Sequence, residues 1–253
     1  MKESYVVFTT LFGNYEYLNE LAITKKSSTR YICFTDDPKL KSNTWEVVVV
    51  KSPIPNSPSR SSRELKILGY KYFPEGTKSL YIDNTVKLKV DGSIILNKWL
   101  EDSDVALMHH YSRKTVKGEF YICSIYKLDD PKLIWKQYSY YRKHYNKVLK
   151  QKPFWGGMIA RVSSNKTHIL METWKQQYDL FAKRDQLSIN VSSVISGISI
   201  KMIKAENNSS EWHEWPIYSS RNTKMREGVA ASPCRKLRII LNGVIYGFKY
   251  YLR

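Results

Sequence analysis

The stretch Ser79-Leu80-Tyr81-Ile82-Asp83-Asn84-Thr85 predicts a short buried strand that ends directly at an acidic turn. In open α/β sheets, ligands bind in the crevice beyond the carboxyl ends of the strands, where Asp83 would lie. A carboxylate at that place could hold a Mg²⁺ or Mn²⁺ ion that also binds nucleotide phosphates. The simpler interpretation is that Asp83 and Asn84 only form a turn. The stretch itself leaves both interpretations open.

Short β-rich runs alternate with helical stretches on both sides of this strand. The other predicted strands cover residues 5–10, 30–35, 45–50, 105–108, 155–161 and 198–203. The predicted helices include residues 63–72, 93–100, 118–149 with a break at 129–131, 163–181 and 186–196, whereas 51–62 is predicted as a loop. This alternation predicts one Rossmann-type α/β domain with a mostly parallel sheet flanked by helices.

The composition is that of a folded protein, with 42% hydrophobic and 25% charged residues among 253. The formal net charge of +18 predicts attraction to nucleic acid, anionic lipid or phosphorylated substrates. The three cysteines are far apart and show no zinc spacing. The sequence contains no secretory signal and no apolar run long enough for a transmembrane helix, so we expect a cytoplasmic protein.

Two patterns place cations and glycines near the predicted strand ends. Arg63 and Lys66 fall on one face of a helix and could reach a diphosphate, although such pairs more often form a solvated face. Gly156 and Gly157 begin a strand and would permit close approach of the backbone to a ligand, or simply form a tight turn.

Histidines and one aspartate are further candidates. One histidine of the run His109-His110 could face the crevice because the run follows a strand. His213 could complete a metal site begun by Asp83, but a lone histidine is more often structural. Asp185 could contact an acceptor hydroxyl as a base or could only cap a helix.

Taken in order, these segments resemble the plant TOD/MUCI-type glycosyltransferase-like family and its bacterial relatives, which have a GT-A fold. The resemblance covers roughly residues 4–195. The residues that carry it are Phe12-Gly13-Asn14-Tyr15, Cys33-Phe34-Thr35-Asp36, Trp45-Glu46-Val47, Ser57-Pro58-Ser59-Arg60 with Arg63 and Lys66, Phe73-Pro74, Tyr81-Ile82-Asp83, His110 with Arg113, Lys127-Leu128-Asp129 with Pro131, and Arg184-Asp185-Gln186-Leu187-Ser188.

The resemblance implies a transferase that moves a sugar from a nucleotide-diphosphate sugar, a UDP-sugar, to a glycan or lipid-linked glycan with the help of Mn²⁺ or Mg²⁺. The implied donor-binding residues are Thr10, Arg63, Lys66, Asp83, Asn84 and Thr85. The implied acceptor-side residues are Gly156, Gly157, His110, Arg113 and Gln186. The resemblance implies Asp83 as a metal ligand, and His213, which lies outside the resembling residues, is the candidate second ligand. Thr85 departs from an Asp-x-Asp pattern.

The resemblance implies Asp185 as a catalytic residue, and the need for a carboxylate to deprotonate the acceptor makes Glu119 the second candidate. If the reaction inverts the anomeric centre, Asp185 would deprotonate the acceptor hydroxyl. If the reaction retains configuration, Asp185 would only position or stabilise. The sequence leaves the stereochemistry open.

The chain divides on this interpretation into a transferase domain at 1–205 and a basic extension at 206–253. The cations of its last part are Arg221, Lys224, Arg226, Arg235, Lys236, Arg238, Lys249 and Arg253, against the single acid Glu227. Apolar residues alternate with these cations, which is typical of an amphipathic helix on anionic lipid at the inner face of the plasma membrane. A helix docked on its own domain is the alternative.

Two other functions compete with a transferase. The incomplete Asp-x-Asp pattern is also compatible with a catalytically inactive relative that binds glycans or nucleotides. The positive charge with many aromatic residues is compatible with a nucleic-acid-binding protein. Because no nucleic-acid-binding motif is present, we do not expect nucleic acid as a partner.

Overall fold

The computed structural model describes residues 4–14, 16–23 and 28–217. The strands in this part of the chain are β1 (Tyr5–Leu11), β2 (Arg30–Thr35), β3 (Glu46–Val49), β4 (Lys78–Ile82), β5 (Lys87–Leu88), β6 (Val105–His109), β7 (Phe154–Val162), β8 (Lys201–Ile203) and β9 (His213–Glu214). The α-helices are α1 (Pro58–Leu68), α2 (Gly92–Trp99), α3 (Val116–Ile125), α4 (Pro131–His144), α5 (Asn146–Leu149), α6 (Asn165–Leu180) and α7 (Ile189–Ser196), with 3₁₀ turns at Gly69–Tyr72 and Asp185–Leu187.

Seven strands form one sheet in the order β3-β2-β1-β4-β7-β6-β8, and β5 pairs with β9 in a small second sheet. Only β7 runs against its neighbours β4 and β6, and all other pairs of the large sheet are parallel. The central strands are buried on both faces, as expected of a mostly parallel sheet covered by helices. The predicted α/β fold with a mostly parallel sheet flanked by helices is confirmed.

The two faces of the sheet pack against different helices. On one face, Phe8 of β1 lies in a core with Ile67 of α1 and Trp174 of α6. On the other face, Val7 packs in a core with Trp99 of α2. Alternate residues of the same strand therefore supply both cores, which fixes the register of β1 within the sheet.

The strand directions bring several chain segments to one edge of the sheet. The parallel strands β1, β4 and β6 all end there, and the antiparallel β7 begins there. Residues just beyond these ends are consequently neighbours in space although they are far apart in sequence.

The first helix begins earlier than the sequence pattern predicts. Residues 51–62 are predicted as a loop, yet α1 starts at Pro58. A proline in the first turn has no amide hydrogen to leave unpaired, and its fixed φ angle favours the helix. The early start lengthens the helix that carries Arg63 and Lys66.

Residues 206–217 pack on the domain. β9 pairs with β5, and the Asn207 side chain donates to the His109 carbonyl and accepts from the Tyr111 amide. The rest of the predicted basic extension, including 221–253, lies outside the described residues. No helix within the described residues is both long and apolar enough to cross a membrane.

A glycine at the end of β1 sets how closely that strand approaches α1. Gly13 has a φ angle of +70°, and a Cβ atom there would lie 2.2 Å from Pro58 Cγ. Gly76 has a φ angle of +81° with open space around it. We expect Gly13→Ala to lower the free energy of unfolding by about 2–4 kcal/mol, from backbone strain plus overpacking. Gly76→Ala, which adds only the strain, should lower it by about 1–2 kcal/mol. Urea denaturation measures both, and equal losses would contradict the packing argument.

Candidate active site

A cleft of about 370 Å³ opens at the edge where β1, β4 and β6 end. Ser62, Arg63 and Lys66 of α1 form one part of its wall. The cleft contains every predicted site residue except His213: Thr10, Arg63, Lys66, Asp83, Asn84, Thr85, His110, Arg113, Glu119, Gly156, Gly157, Asp185 and Gln186.

The ammonium of Lys66 lies between two carboxylates in this cleft. Its Nζ atom is 2.6 Å from Asp185 Oδ2 and 3.5 Å from Asp83 Oδ1. The same atom lies 5.4 Å from the centre of the Tyr81 ring, within range of a cation–π contact. Lys66 is only 6% exposed, so these contacts replace most of its hydration. Lys66 therefore joins the end of β4 to the 3₁₀ turn that contains Asp185.

Asp185 is a buried, ionised carboxylate. Burial by itself raises its pKa, but Lys66, Arg63 and Arg184 outweigh that effect and hold the pKa well below its ordinary value of 3.8. The Arg63 Nε atom is 3.8 Å from Asp185 Oδ1. A carboxylate with so low a pKa is a weak proton acceptor at neutral pH. These surroundings favour positioning or charge stabilisation over the role of base.

The side chain of Asp185 also does not cap a helix. The residue at the N-cap of α7 is Ser188, with no side-chain cap. The main-chain carbonyl of Asp185 accepts from Trp174 Nε1 at 3.0 Å and from the Ser188 hydroxyl at 3.1 Å. The backbone is thus held by its neighbours while the carboxylate turns to the cleft.

Asp83 is the partly exposed carboxylate at the end of β4. Its Oδ1 atom accepts from the Tyr81 hydroxyl at 2.8 Å, and its amide donates to the Gly157 carbonyl at 2.9 Å. Its side chain is 36% exposed, compared with 3% for Asp185. Asp83 therefore faces the open part of the cleft, as the sequence predicts.

The next two residues have their side chains engaged by the protein. Asn84 donates to the Tyr17 carbonyl and accepts from the Asn19 amide, which holds residues 16–19 beside the cleft. The Thr85 hydroxyl accepts from Trp215 Nε1 at 3.1 Å. Of the predicted acidic turn, Asp83 alone presents a charged group to a ligand.

The glycine pair makes room for side chains of the protein itself. A Cβ atom on Gly156 would lie 3.0 Å from Lys66 Nζ and 3.2 Å from Asp185 Oδ2. A Cβ atom on Gly157 would lie 2.1 Å from the Trp155 ring. The sequence predicted that these glycines allow a ligand to approach the backbone. In the structure they instead leave room for the Lys66–Asp185 ion pair and for the Trp155 indole.

Helix α3 and the loop before it carry a second charged group of the cleft. Arg113 Nε donates to Glu119 Oε2 at 2.9 Å, and the Cys123 thiol donates to Glu119 Oε1 at 3.4 Å. His110 Nε2 is 4.0 Å from the same Glu119 Oε2. Burial lowers the pKa of His110, Glu119 raises it and Arg113 lowers it, with a net result below 6.5. His110 is therefore neutral at pH 7.

His213 does not reach the cleft, which corrects its assignment as a metal ligand. It is fully buried and stacks on Trp155 at 5.5 Å between ring centres. Its Nδ1 atom is 2.8 Å from the Ser210 hydroxyl, and its Nε2 atom is 2.8 Å from the Asn207 carbonyl. Both ring nitrogens are thus engaged, so the histidine has a structural role.

A family model describing the TOD1/MUCI70 glycosyltransferase-like domain matches residues 1–209. The chain belongs to this family. The resemblance noted in the sequence is thereby confirmed, and the glycosyltransferase-like domain accounts for most of the chain.

No curated protein matches the chain. Among solved structures, the chain is similar to the apo form of mouse xyloside xylosyltransferase 1, with 9% sequence identity and a TM-score of 0.43. The match covers 79% of this chain and 85% of that one.

The described residues of this TOD1/MUCI70 domain do not fit a divalent cation. No group of three or more His, Cys, Asp or Glu side chains converges in the described ranges as metal ligands would. Asp83 Oδ1 already accepts from Tyr81 and lies beside the Lys66 ammonium, and Asp185 is held by Lys66 and Arg63. A divalent cation favours several hard oxygen ligands, and an adjacent ammonium repels it.

Tyr81, Arg184 and Trp215 are among the cleft residues that the sequence pattern did not assign to the site. Tyr81 lies two positions before Asp83 on β4, and the strand period of two would have placed both on one face. Arg184 lines the cleft and directly precedes Asp185, so the prediction of Asp185 as a site residue already pointed to this position. Trp215, which binds Thr85 across a large distance in sequence, carried no signal.

The Lys66–Asp185 pair predicts a pH-dependent contribution to stability. Removing one partner of a buried ion pair destabilises by about 3–5 kcal/mol, because the other charge stays buried. Asp185→Asn should therefore lower the free energy of unfolding by about that amount at pH 7. Because the folded-state pKa of Asp185 is depressed, its contribution is complete above about pH 4 and is lost as the pH falls further.

Urea denaturation of wild type and Asp185→Asn at a series of pH values measures this difference. Asp179→Asn is the matched control, since Asp179 is a more exposed carboxylate paired with Lys175. The control should change stability by no more than about 1 kcal/mol at any pH. A gap between wild type and Asp185→Asn that is independent of pH would contradict the prediction.

Proposed function

We propose that this glycosyltransferase-like domain transfers a sugar from a nucleotide-diphosphate sugar, a UDP-sugar, to a hydroxyl of a glycan or lipid-linked glycan. The observation that carries the proposal is the Lys66 ammonium, which lies between Asp83 at the end of β4 and Asp185, with Arg63 beside Asp185. Membership of the TOD1/MUCI70 family supports the transferase, and the cleft supports the class of donor.

Charge supports a diphosphate in this cleft. Breaking a sugar–diphosphate bond leaves negative charge on the diphosphate, and pre-positioned cations stabilise that charge in the transition state. The cleft lining includes the cations Lys66, Arg63, Arg113 and Arg184. The acids Glu16, Asp83, Glu119 and Asp185 match them in number, so the support comes from where the cations lie and not from a net positive charge. Thr10 and Asp83 lie at the ends of the neighbouring strands β1 and β4, where open α/β sheets bind nucleotides.

The two buried carboxylates take different roles in this proposal. Ionised Asp185 stabilises positive charge that develops on the anomeric carbon and positions the donor. Glu119, on α3, takes the proton of the acceptor hydroxyl if the reaction inverts configuration. Gly156, Gly157, His110, Arg113 and Gln186 then line the acceptor side.

An assay of UDP release from a panel of UDP-sugars tests the proposal, with water and mixed oligosaccharides as acceptors. Wild type should release UDP from at least one donor. Asp185→Asn should lower kcat by roughly a hundredfold or more, because one preorganised charge is lost from the transition state. Asp179→Asn should retain wild-type kcat. Binding of UDP without turnover of any donor would favour an inactive relative, and absence of any nucleotide binding would refute the proposal.

We further propose that the basic segment 221–253 places the enzyme on an anionic membrane at the inner face of the plasma membrane, near a lipid-linked acceptor. Its sequence, which alternates cations with apolar residues, supports this. Each cation near an anionic surface contributes about 1 kcal/mol, so replacing Arg235, Lys236 and Arg238 by Gln should weaken liposome binding about a hundredfold.

Flotation with phosphatidylglycerol liposomes measures that loss. The matched control replaces the exposed Lys39, Lys41 and Lys51 by Gln, which removes the same charge from another surface. Equal weakening by both triple variants would show a general charge effect and contradict a specific role of the segment.

A further inference from the structure

A protein cation occupies the position that a divalent metal would need beside Asp83. Asp83 Oδ1 accepts from the Tyr81 hydroxyl at 2.8 Å and lies 3.5 Å from Lys66 Nζ. The other carboxylate nearby, Asp185, is 2.6 Å from the same ammonium. A second cation of double charge at this place would be repelled by Lys66 and would compete with it for both acids.

The position of Lys66 is fixed by the protein core. The main-chain carbonyls of Lys66 and Ile67, near the end of α1, accept from Arg161 Nη1 at 3.0 and 2.7 Å. Arg161 is fully buried on β7, so its guanidinium anchors the last turn of α1 to the sheet. Gly156 leaves the space that the ammonium and Asp185 fill. Helix α1, strands β4 and β7 and the turn at Asp185–Leu187 together hold the Lys66 ammonium in place.

A second cation lies on the open side of this ammonium. Arg63 is one helical turn before Lys66, on the same face of α1, and its Nε atom is 3.8 Å from Asp185 Oδ1. Its Nη1 atom donates to the Ser59 carbonyl at 3.1 Å, which orients the guanidinium. Its side chain is 28% exposed, compared with 8% for Lys66. A guanidinium so placed can bind phosphate oxygens with two parallel hydrogen bonds.

We propose that the cleft binds the diphosphate of its donor without a divalent metal, with Lys66 and Arg63 supplying the positive charge. The inference rests on the proposed function and sharpens it. Asp83 then serves to hold Lys66, together with Tyr81, and is not a metal ligand. The third position of the turn, Thr85, needs no carboxylate for the same reason.

Calorimetric titration of the full chain with UDP and GDP tests the inference, once in excess EDTA and once in excess MnCl₂ or MgCl₂. The dissociation constant of the better nucleotide should agree within about twofold between these conditions. Binding that appears only with added metal would overturn the inference and leave the proposed function standing. Absence of binding in every condition would instead overturn the proposed function.

Asp83→Asn separates the two mechanisms by the sign of its effect. If Asp83 were a metal ligand, the variant would bind UDP more weakly in MnCl₂. If Lys66 and Arg63 supply the charge, removing a carboxylate beside Lys66 should tighten UDP binding in EDTA by a few fold, since less negative charge opposes the diphosphate. Weaker binding by Asp83→Asn in MnCl₂ would therefore contradict the inference.

Variants of the two cations complete the test. Lys66→Met and Arg63→Met should each weaken UDP binding in EDTA by about tenfold or more, because each removes a hydrogen-bonded charge. Lys66→Met leaves Asp185 without its nearest cation and could fail to fold. In that case the measurement comes from Arg63→Met. Lys98→Met is the control, because Lys98 is an exposed lysine on α2 that does not line the cleft. This variant should bind UDP with wild-type affinity. Wild-type affinity in Arg63→Met would overturn the inference.

Discussion

A buried ammonium next to a buried carboxylate is stable only when each compensates the water that the other has lost. Lys66 and Asp185 meet that condition at 2.6 Å, with Asp83 and Arg63 completing a chain of alternating charges. Removing either residue alone leaves the other buried with only a more distant partner, Asp83 for Lys66 and Arg63 for Asp185. The shape of the cleft depends on this pair, because it connects helix α1, the end of β4 and the turn before α7.

The scaffold is arranged so that these charges meet. β1 and β4 are parallel neighbours, so their carboxyl ends lie side by side, and the antiparallel β7 brings Gly156 to the same edge. Because α1 ends at Leu68, Lys66 lies in its last turn, where Arg161 donates to the main-chain carbonyls of Lys66 and Ile67. These contacts have no role in chemistry, but they limit the positions that the ammonium can take.

Much of the fold and the cleft follows from local sequence patterns. The runs around Phe8, Ile32 and Tyr81 are buried and flanked by turn residues. The strands, and the sheet edge formed by their carboxyl ends, could therefore be predicted. The spacing of Arg63 and Lys66 likewise gave their common helix face. The role of each residue was harder, because it depends on partners distant in sequence. The ion pair that depresses the pKa of Asp185 and the carbonyl that engages His213 both come from other segments.

The missing second acid and the buried lysine are best understood as one electrostatic arrangement. Two carboxylates in an Asp-x-Asp turn repel each other and need a strong cation between them. Here the third position is Thr85, whose hydroxyl binds Trp215, so the turn carries one negative charge. That charge and the charge of Asp185 are balanced together by Lys66, which lies between them, and by Arg63 beside Asp185. An added carboxylate at Thr85 would lose the Trp215 hydrogen bond and would leave this balance negative, so the threonine and the lysine each make sense in the presence of the other.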